Sequence, residues 1–313
     1  MKFLKQGALA LAAATALAAC GGGGGQIEPF HPKRILAFGD ESSVITTDGL
    51  KYSVNALDTN GALVCANNPL WIQALASSFG LVFAECNPDK LATPTGKVYA
   101  QAGAKIAGLK TQIDTVFSSG GFNNKDLVSV MAGANDILEL YAQYPQQGAD
   151  TLKSLAGQRG RELAAQVNRI ANADGRVIIT TLPDLGLTPF ALKERIAKPD
   201  TDRAKLLTDL ITEFNTQMRL NILNDGRLIG LVLLDEETSR IGRISGYAAA
   251  LGISNFTEAA CLEASQPPAC TSKTLVTNAD GNTWLWATNV LMGPVGHSRL
   301  GALAQSRALN NPF

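Results

Sequence analysis

Histidine and cysteine are scarce in this sequence, which limits the metal sites that it can form. Only two histidines, His31 and His297, occur in 313 residues, together with five cysteines. No two cysteines have the Cys-x-x-Cys spacing typical of zinc sites. We therefore expect neither a bound metal nor a cofactor.

Blocks of like charge and long apolar runs are also missing. The chain has 27 basic and 27 acidic residues with no cluster of one sign, whereas nucleic-acid binding needs clustered Lys and Arg. After residue 19, no apolar run reaches the roughly 20 residues of a membrane-spanning helix. We therefore expect no nucleic-acid partner and no spanning segment in the body of the chain.

The N-terminus has the layout of an export signal. Lys2 and Lys5 precede an uncharged run, residues 7–19, which is rich in Ala and Leu and shorter than a spanning helix. Its last residues, Leu17-Ala18-Ala19-Cys20, resemble the lipobox of bacterial lipoproteins, in which the cysteine is acylated and becomes the new N-terminus. The alternative is an ordinary signal peptide followed by a chance cysteine.

These features divide the chain into a lipoprotein signal peptide (1–19), a lipidated cysteine with a glycine-rich tether (20–29) and one domain (30–313). Five glycines after Cys20 suit a flexible tether. Without Lys2 and Lys5, 25 cations face 27 anions, a net charge of −2. The residue after the cysteine is Gly21 and not Asp, which by resemblance to bacterial lipoproteins favours sorting to the outer membrane. We expect a monomer in the bacterial cell envelope, held by lipid to the outer membrane and facing the periplasm or the surface.

The other four cysteines form two local pairs. Export places them in an oxidising compartment, where disulfides are expected. We predict the disulfides Cys65–Cys86 and Cys261–Cys270, each contributing on the order of 3 kcal/mol by the loop-entropy model.

Short apolar strands alternate with amphipathic helices along the chain. Continuous Val/Ile/Leu strands between such helices predict a parallel sheet covered on both faces, an α/β fold with three αβα layers. Residues 51–95 have no clean period, and we predict a loop-rich insertion near the top of the sheet. The predicted strands are 34–38, 127–132, 177–182 and 228–234, and the predicted helices are 150–173, 201–224 and 294–309.

Six segments resemble the SGNH/GDSL hydrolases, in the order of that family. In open parallel sheets, reactive groups gather at the carboxyl ends of the strands, and several of these segments follow predicted strands. The resemblance, which implies a flavodoxin-like sheet, rests on these segments: Phe38-Gly39-Asp40, residues 99–104 with Gly103, Gly133-Ala134-Asn135-Asp136, residues 182–189, residues 252–261, and residues 284–297.

The resemblance implies ester hydrolysis by a Ser-His-Asp triad, but all three triad positions differ here. The residue after Gly39-Asp40 is Glu41 instead of the nucleophilic serine. Thr288 stands at the Asp position and Leu291 at the His position. Leucine cannot accept a proton, and loss of one triad member costs several powers of ten in rate.

The parts that remain are those of the family's oxyanion hole. Gly103 and Asn135 stand at its donor positions, and we expect Asp40 to hydrogen-bond the amides of the turn that follows it. A cluster of Asp40, Glu41 and Asp136 that binds a cation or cleaves glycosides is a further, weaker alternative.

Two serines and one histidine offer an alternative catalytic set. Ser42 or Ser43 would serve as nucleophile if the first block were shifted, with His297 as base, but each residue turns a helical side chain by about 100°. The competing interpretation is that both serines cap the helix after the first strand and that His297 packs at a helix start. We also expect Trp71, Trp284 and Trp286 to lie in the core.

These observations favour a lipid-anchored SGNH-like envelope protein that has lost the standard mechanism. It would bind an acyl, lipid or glycan ligand, or an envelope partner, through the old cleft. The first alternative is an active esterase or lipase that uses Ser42 or Ser43. The second is a scaffold without catalysis. A filled or closed cleft over Asn135 would count against any ligand there.

Overall fold

A five-stranded parallel sheet forms the middle of the protein, seen here in a computed structural model that describes residues 29–223 and 228–310. The strand order is β2-β1-β3-β4-β5, and every neighbouring pair is parallel. The strands are β1 (Arg34–Gly39), β2 (Gly96–Val98), β3 (Asp126–Met131), β4 (Arg176–Thr180) and β5 (Ile229–Val232). A separate two-stranded sheet pairs β6 (Asn255–Ala259) with β7 (Trp284–Trp286).

Helices cover both faces of the main sheet, and each face buries its own core. One core contains Phe38, Val128 and Val130, and the other contains Ile35, Ala37 and Trp71. Strands buried on both faces are mostly apolar, as in residues 35–38 of β1 and in β3, where the buried Ser129 interrupts the apolar run. The helices are α1 (Trp71–Ser77), α2 (Ile106–Ser118), α3 (Ala134–Tyr141), α4 (Ala149–Ala171), α5 (Pro189–Ala197), α6 (Arg203–Asn221), α7 (Leu234–Arg243), α8 (Tyr247–Ala250) and α9 (Pro294–Asn310).

The predicted α/β fold with a covered parallel sheet is therefore confirmed. The four predicted strands begin within two residues of the observed first residues of β1, β3, β4 and β5. The prediction missed the three-residue β2, which is too short to show a pattern, and the small sheet β6–β7. Residues 51–95 are loop-rich as predicted, except for α1. Trp71, Trp284 and Trp286 are all buried. In the described part of the chain, no helix combines the length and apolar character needed to span a bilayer.

Both predicted disulfides are present, Cys65–Cys86 and Cys261–Cys270. They stabilise two irregular segments that pack against each other. Asn55, from the first segment, donates its amide N–H to the carbonyl oxygen of Cys270 at 2.9 Å, and its side chain donates to the carbonyl oxygen of Pro268 at 2.8 Å. These hydrogen bonds join the two segments.

Candidate functional site

The end of β1 carries a single tight turn. The Asp40 carboxylate accepts a hydrogen bond from the Ser42 amide at 3.0 Å and so caps a 3-10 helix that spans Glu41–Ser43. The interpretation that the serines cap this helix is therefore wrong, because they lie inside the turn and Asp40 is its cap. Gly39 precedes the turn at a φ of +127°, and a Cβ there would lie 1.7 Å from the carbonyl oxygen of Met131. Only glycine allows β1 to end this close to β3.

Gln112 holds the same strand end from the opposite side. Its side-chain oxygen accepts from the Gly39 amide and its amide donates to the Gly39 carbonyl, both at 2.9 Å. Gln112 is buried in helix α2, between apolar neighbours. Sequence reasoning missed this residue, since one glutamine in an amphipathic helix has no distinguishing pattern.

Two further loops bring Gly103 and Asn135 to the turn. Asn135 lies in the first turn of helix α3, two residues after Gly133, whose φ of +118° turns the chain out of β3. Asp136 accepts a hydrogen bond from the Ile106 amide at 3.1 Å and thus ties this helix to the loop that carries Gly103. The positions of the two donors are therefore fixed relative to each other.

The Glu41 carboxylate occupies the space between these donors. One oxygen, Oε2, accepts from the Gly103 amide at 2.8 Å and from the Asn135 side-chain amide at 3.1 Å. An oxyanion hole places its donors 2.7–3.1 Å from the negatively charged oxygen of a reaction intermediate. Glu41 therefore places its own carboxylate oxygen on the two donors that the family resemblance assigns to an oxyanion hole.

Thr288 and Leu291 form a turn that faces Glu41. The Thr288 hydroxyl accepts from the amides of Val290 and Leu291, at 3.2 and 2.9 Å, so it closes the turn instead of orienting a base. Leu291 lines the same small cavity as Glu41 and Asn135. Leu291 stands at the position that the resemblance gives to the family's histidine. Its isobutyl group therefore lies in the cavity beside Glu41.

Two carboxylates lie side by side at the bottom of this site. Asp40 is fully buried, and its second oxygen has no hydrogen-bond partner in the described residues. Burial, together with the adjacent charge of Glu41, raises the pKa of Asp40 to about 7. Asp136, also buried, adds a smaller contribution in the same direction. With a pKa near 7, Asp40 takes up a proton more readily than an exposed carboxyl, and protonation relieves its repulsion with Glu41.

The alternative catalytic set is not assembled. Ser43 is buried and its hydroxyl accepts from the Trp71 indole N–H at 3.2 Å, while Ser42 lines the small cavity. His297 is buried in α9, and neither ring nitrogen has a partner within the described chain. Burial, with the charge of Lys51 nearby, lowers the pKa of His297 to about 3. A neutral imidazole without a hydrogen bond to a serine cannot form the pair that activates a nucleophile.

Little space remains in the cleft. The cavity above Asn135 measures about 20 Å³ and is bordered by Leu138, Leu185 and Leu291. A cavity of this size holds about one water molecule. No group of three metal-ligating side chains occurs in residues 29–223 and 228–310.

Comparison with known proteins identifies the family of this chain. The model of the GDSL-like lipase/acylhydrolase family matches residues 35–227, well over half of the chain. The chain belongs to this family. The matched residues include the turn after β1, the loop of Gly103 and the segment of Asn135. Thr288 and Leu291 lie beyond them. A search of curated proteins found no significant match.

Two solved structures show what the chain is similar to. A lipolytic G-D-S-L family protein from Veillonella parvula is 15% identical, with 88% of this chain and 96% of that chain covered and a TM-score of 0.43. An acetylxylan esterase from Geobacillus stearothermophilus is 15% identical, with 90% and 96% covered and a TM-score of 0.43. Likenesses at this level say nothing about the substrate of this chain.

Proposed function

We propose that this chain is a lipid-anchored member of the GDSL family that has lost ester hydrolysis and acts by binding. The lipid would be carried by Cys20, which lies outside the described residues, and the protein would face the periplasm or the surface from the outer membrane. Its ligand would be an acyl, lipid or glycan group or an envelope partner. The observation that carries the loss of hydrolysis is the Glu41 carboxylate between the Gly103 and Asn135 donors.

Glu41 opposes catalysis in two ways. It removes the serine hydroxyl that attacks the ester, and its anionic oxygen uses the donors that a tetrahedral intermediate would need. A carboxylate attacking an ester would form an anhydride, with no base to assist the next step. Leu291 supplies no proton acceptor on the opposite side of the cavity.

The volume of the cleft bears on where a ligand binds. A cavity of about 20 Å³ is far below the 300–1,000 Å³ typical of ligand pockets. This counts against an acyl chain in the old cleft and favours a binding surface elsewhere on the domain. The scaffold alternative is supported by the same small volume.

An esterase remains the second candidate because Ser42 lines the cavity beside Asn135. Its hydroxyl would need a base, and His297 is buried without a hydrogen bond to it. This candidate therefore requires a rearrangement of both the turn and helix α9.

Reconstruction of the triad tests the loss of hydrolysis. The wild type should neither react with a fluorophosphonate probe nor hydrolyse short-chain nitrophenyl esters. The triple substitution Glu41→Ser, Thr288→Asp and Leu291→His should free the two donors, supply the triad and create measurable hydrolysis. Adding Asn135→Ala to the triple variant should then lower kcat by roughly 10²–10³, because one oxyanion donor is lost.

The outcomes separate the two candidates. Labelling of the wild type that disappears in Ser42→Ala or Ser43→Ala would establish the esterase and refute the proposal. A well-folded triple variant without labelling would mean that Glu41, Thr288 and Leu291 are not the cause of the defect.

A further inference from the structure

A large groove lies beside the filled cleft. It measures about 860 Å³ and is formed by helix α5, strand β6, the Cys261–Cys270 segment and the turn that contains Asn289. Asn289 directly precedes Val290, which lines the small cavity, so one turn contributes residues to both spaces. Its volume is within the range of small-molecule sites, unlike that of the cleft.

Trp284 lies in the wall of this groove with an unused hydrogen-bond donor. The residue is 9% exposed. Within the described chain, its indole N–H makes no hydrogen bond, whereas those of Trp71 and Trp286 donate to Ser43 and to the Phe256 carbonyl. The indole nitrogen is not one of the fully buried polar atoms without a partner, so it keeps contact with solvent. The N–H of Trp284 is therefore available to an acceptor that occupies the groove.

The rest of the lining includes both hydrogen-bond donors and acceptors. Lys193 and Asn289 are joined by a hydrogen bond of 3.0 Å, which leaves further N–H groups of both side chains free. Glu258, Glu263 and Gln266 line the groove and are exposed. One cation beside two carboxylates does not attract a phosphate, and so polar a lining does not suit an acyl chain.

We propose that this groove is the ligand site of the protein and that it binds a neutral oligosaccharide. Each sugar hydroxyl both donates and accepts, so it matches a wall in which carboxylates accept while amides, the ammonium and the indole N–H donate. The inference rests on the binding role proposed above but not on the loss of hydrolysis.

Calorimetric titration of the full chain tests this site. The probes are hexasaccharides of xylose, glucose and N-acetylglucosamine, with a capped hexa-alanine peptide for comparison. At least one hexasaccharide should bind saturably with a Kd below about 1 mM, and the peptide should not bind. The double variant Glu263→Ala, Gln266→Ala should weaken this binding at least tenfold, and Trp284→Phe should weaken it while retaining an aromatic ring in the core.

A second groove provides the matched control. It measures about 840 Å³ beside helix α1, and it also contains one exposed acid and one exposed glutamine, Asp89 and Gln305. Asp89→Ala, Gln305→Ala should leave the affinity unchanged. Absence of binding by all three hexasaccharides, binding of the peptide alone, or equal loss in both double variants would overturn the assignment.

The same preparations distinguish this inference from the proposed function. Hydrolysis of nitrophenyl esters by the wild type would refute the loss of catalysis and leave the titration result intact. Inert protein that binds no hexasaccharide would refute the groove assignment and leave the reconstruction of the triad as an independent test.

Discussion

Lys51 shows how a single buried side chain organises an irregular segment. Its ammonium donates to the backbone oxygens of Cys65 at 2.9 Å, Asn67 at 2.5 Å and Asn68 at 2.9 Å. The residue is fully buried, and burial lowers its pKa to about 8. Three carbonyl groups converge on one cation, so the lysine fixes the course of the loop around the Cys65–Cys86 disulfide.

Replacement of this lysine should be costly. In Lys51→Met the three carbonyl oxygens lose their donor, and we expect the free energy of unfolding to fall by about 2–4 kcal/mol. Lys125→Met, at an exposed lysine, is the matched control and should change it by less than about 0.5 kcal/mol. Urea denaturation measures the free energy of unfolding of both variants. A loss in Lys51→Met no larger than that in Lys125→Met would show that the buried ammonium contributes no stability.

Asp40 gives the protein a pH dependence with a defined sign. Its ordinary pKa is 3.8, and burial with the charge of Glu41 raises it to about 7 in the folded state. The folded state therefore holds a proton that the unfolded state has released between these values. This contribution to stability is complete below about pH 4 and is lost as the pH rises to about 7.

Asp40→Asn removes the titration while keeping an oxygen for the Ser42 amide. At pH 8 we expect the variant to be more stable than the wild type by about 1–3 kcal/mol, and at pH 4 the two should be equal. His297, whose pKa is lowered to about 3, destabilises both proteins alike as the pH falls below 6.5, so the difference between them reports Asp40. Parallel curves from denaturation at pH 4 to 8 would contradict this assignment.

The packing of α4 on α6 requires a residue without a Cβ at position 160, which is glycine. A Cβ on Gly160 would lie 2.2 Å from the Phe214 carbonyl oxygen and 3.0 Å from the Met218 amide. Both are backbone groups, which a rotamer change cannot move. The two helices therefore approach each other only because position 160 is glycine.

Alanine at this position separates packing from helix propensity. Gly160→Ala should lower the free energy of unfolding by about 1–3 kcal/mol, because the helices must separate. Gly108→Ala, in helix α2, meets only Ala104 Cβ at 3.6 Å and should raise it by about 0.5–1 kcal/mol. Thermal unfolding of both variants tests this, and a gain in stability at Gly160 would refute the steric argument.

For the molecule as a whole, the anchor on Cys20 is the prediction with the widest consequence. If Cys20 carries lipid, Cys20→Ser should move the chain from the membrane fraction to the soluble fraction after cell lysis, because a tether without acyl chains has no hydrophobic anchor. Metabolic labelling with a palmitate analogue should mark the wild type and not the variant. Cys65→Ser is a control that breaks a disulfide and should keep the label. Membrane retention of the Cys20→Ser chain would contradict the anchor.

Sequence patterns predicted the features that depend on residues close together in the chain. Continuous apolar runs identified β1, β3, β4 and β5, and the short spacing of the cysteines identified both disulfides. The three-residue β2 escaped, because so short a strand owes its pairing to β1 and not to its own residues. The groove at Trp284 also escaped, since its walls come from four separate parts of the chain.

The sequence alone determined the α/β class, the cysteine pairs and the identities of Glu41, Thr288 and Leu291, the residues at the positions that the resemblance gives to a triad. Each of these depends on the identity of a residue or on a short pattern. Only the tertiary structure decided that the Glu41 carboxylate reaches Gly103 and Asn135, because those donors are 62 and 94 residues away along the chain. Contacts at such separation are fixed by how strands and helices pack, and that packing places the Glu41 carboxylate between the two donors.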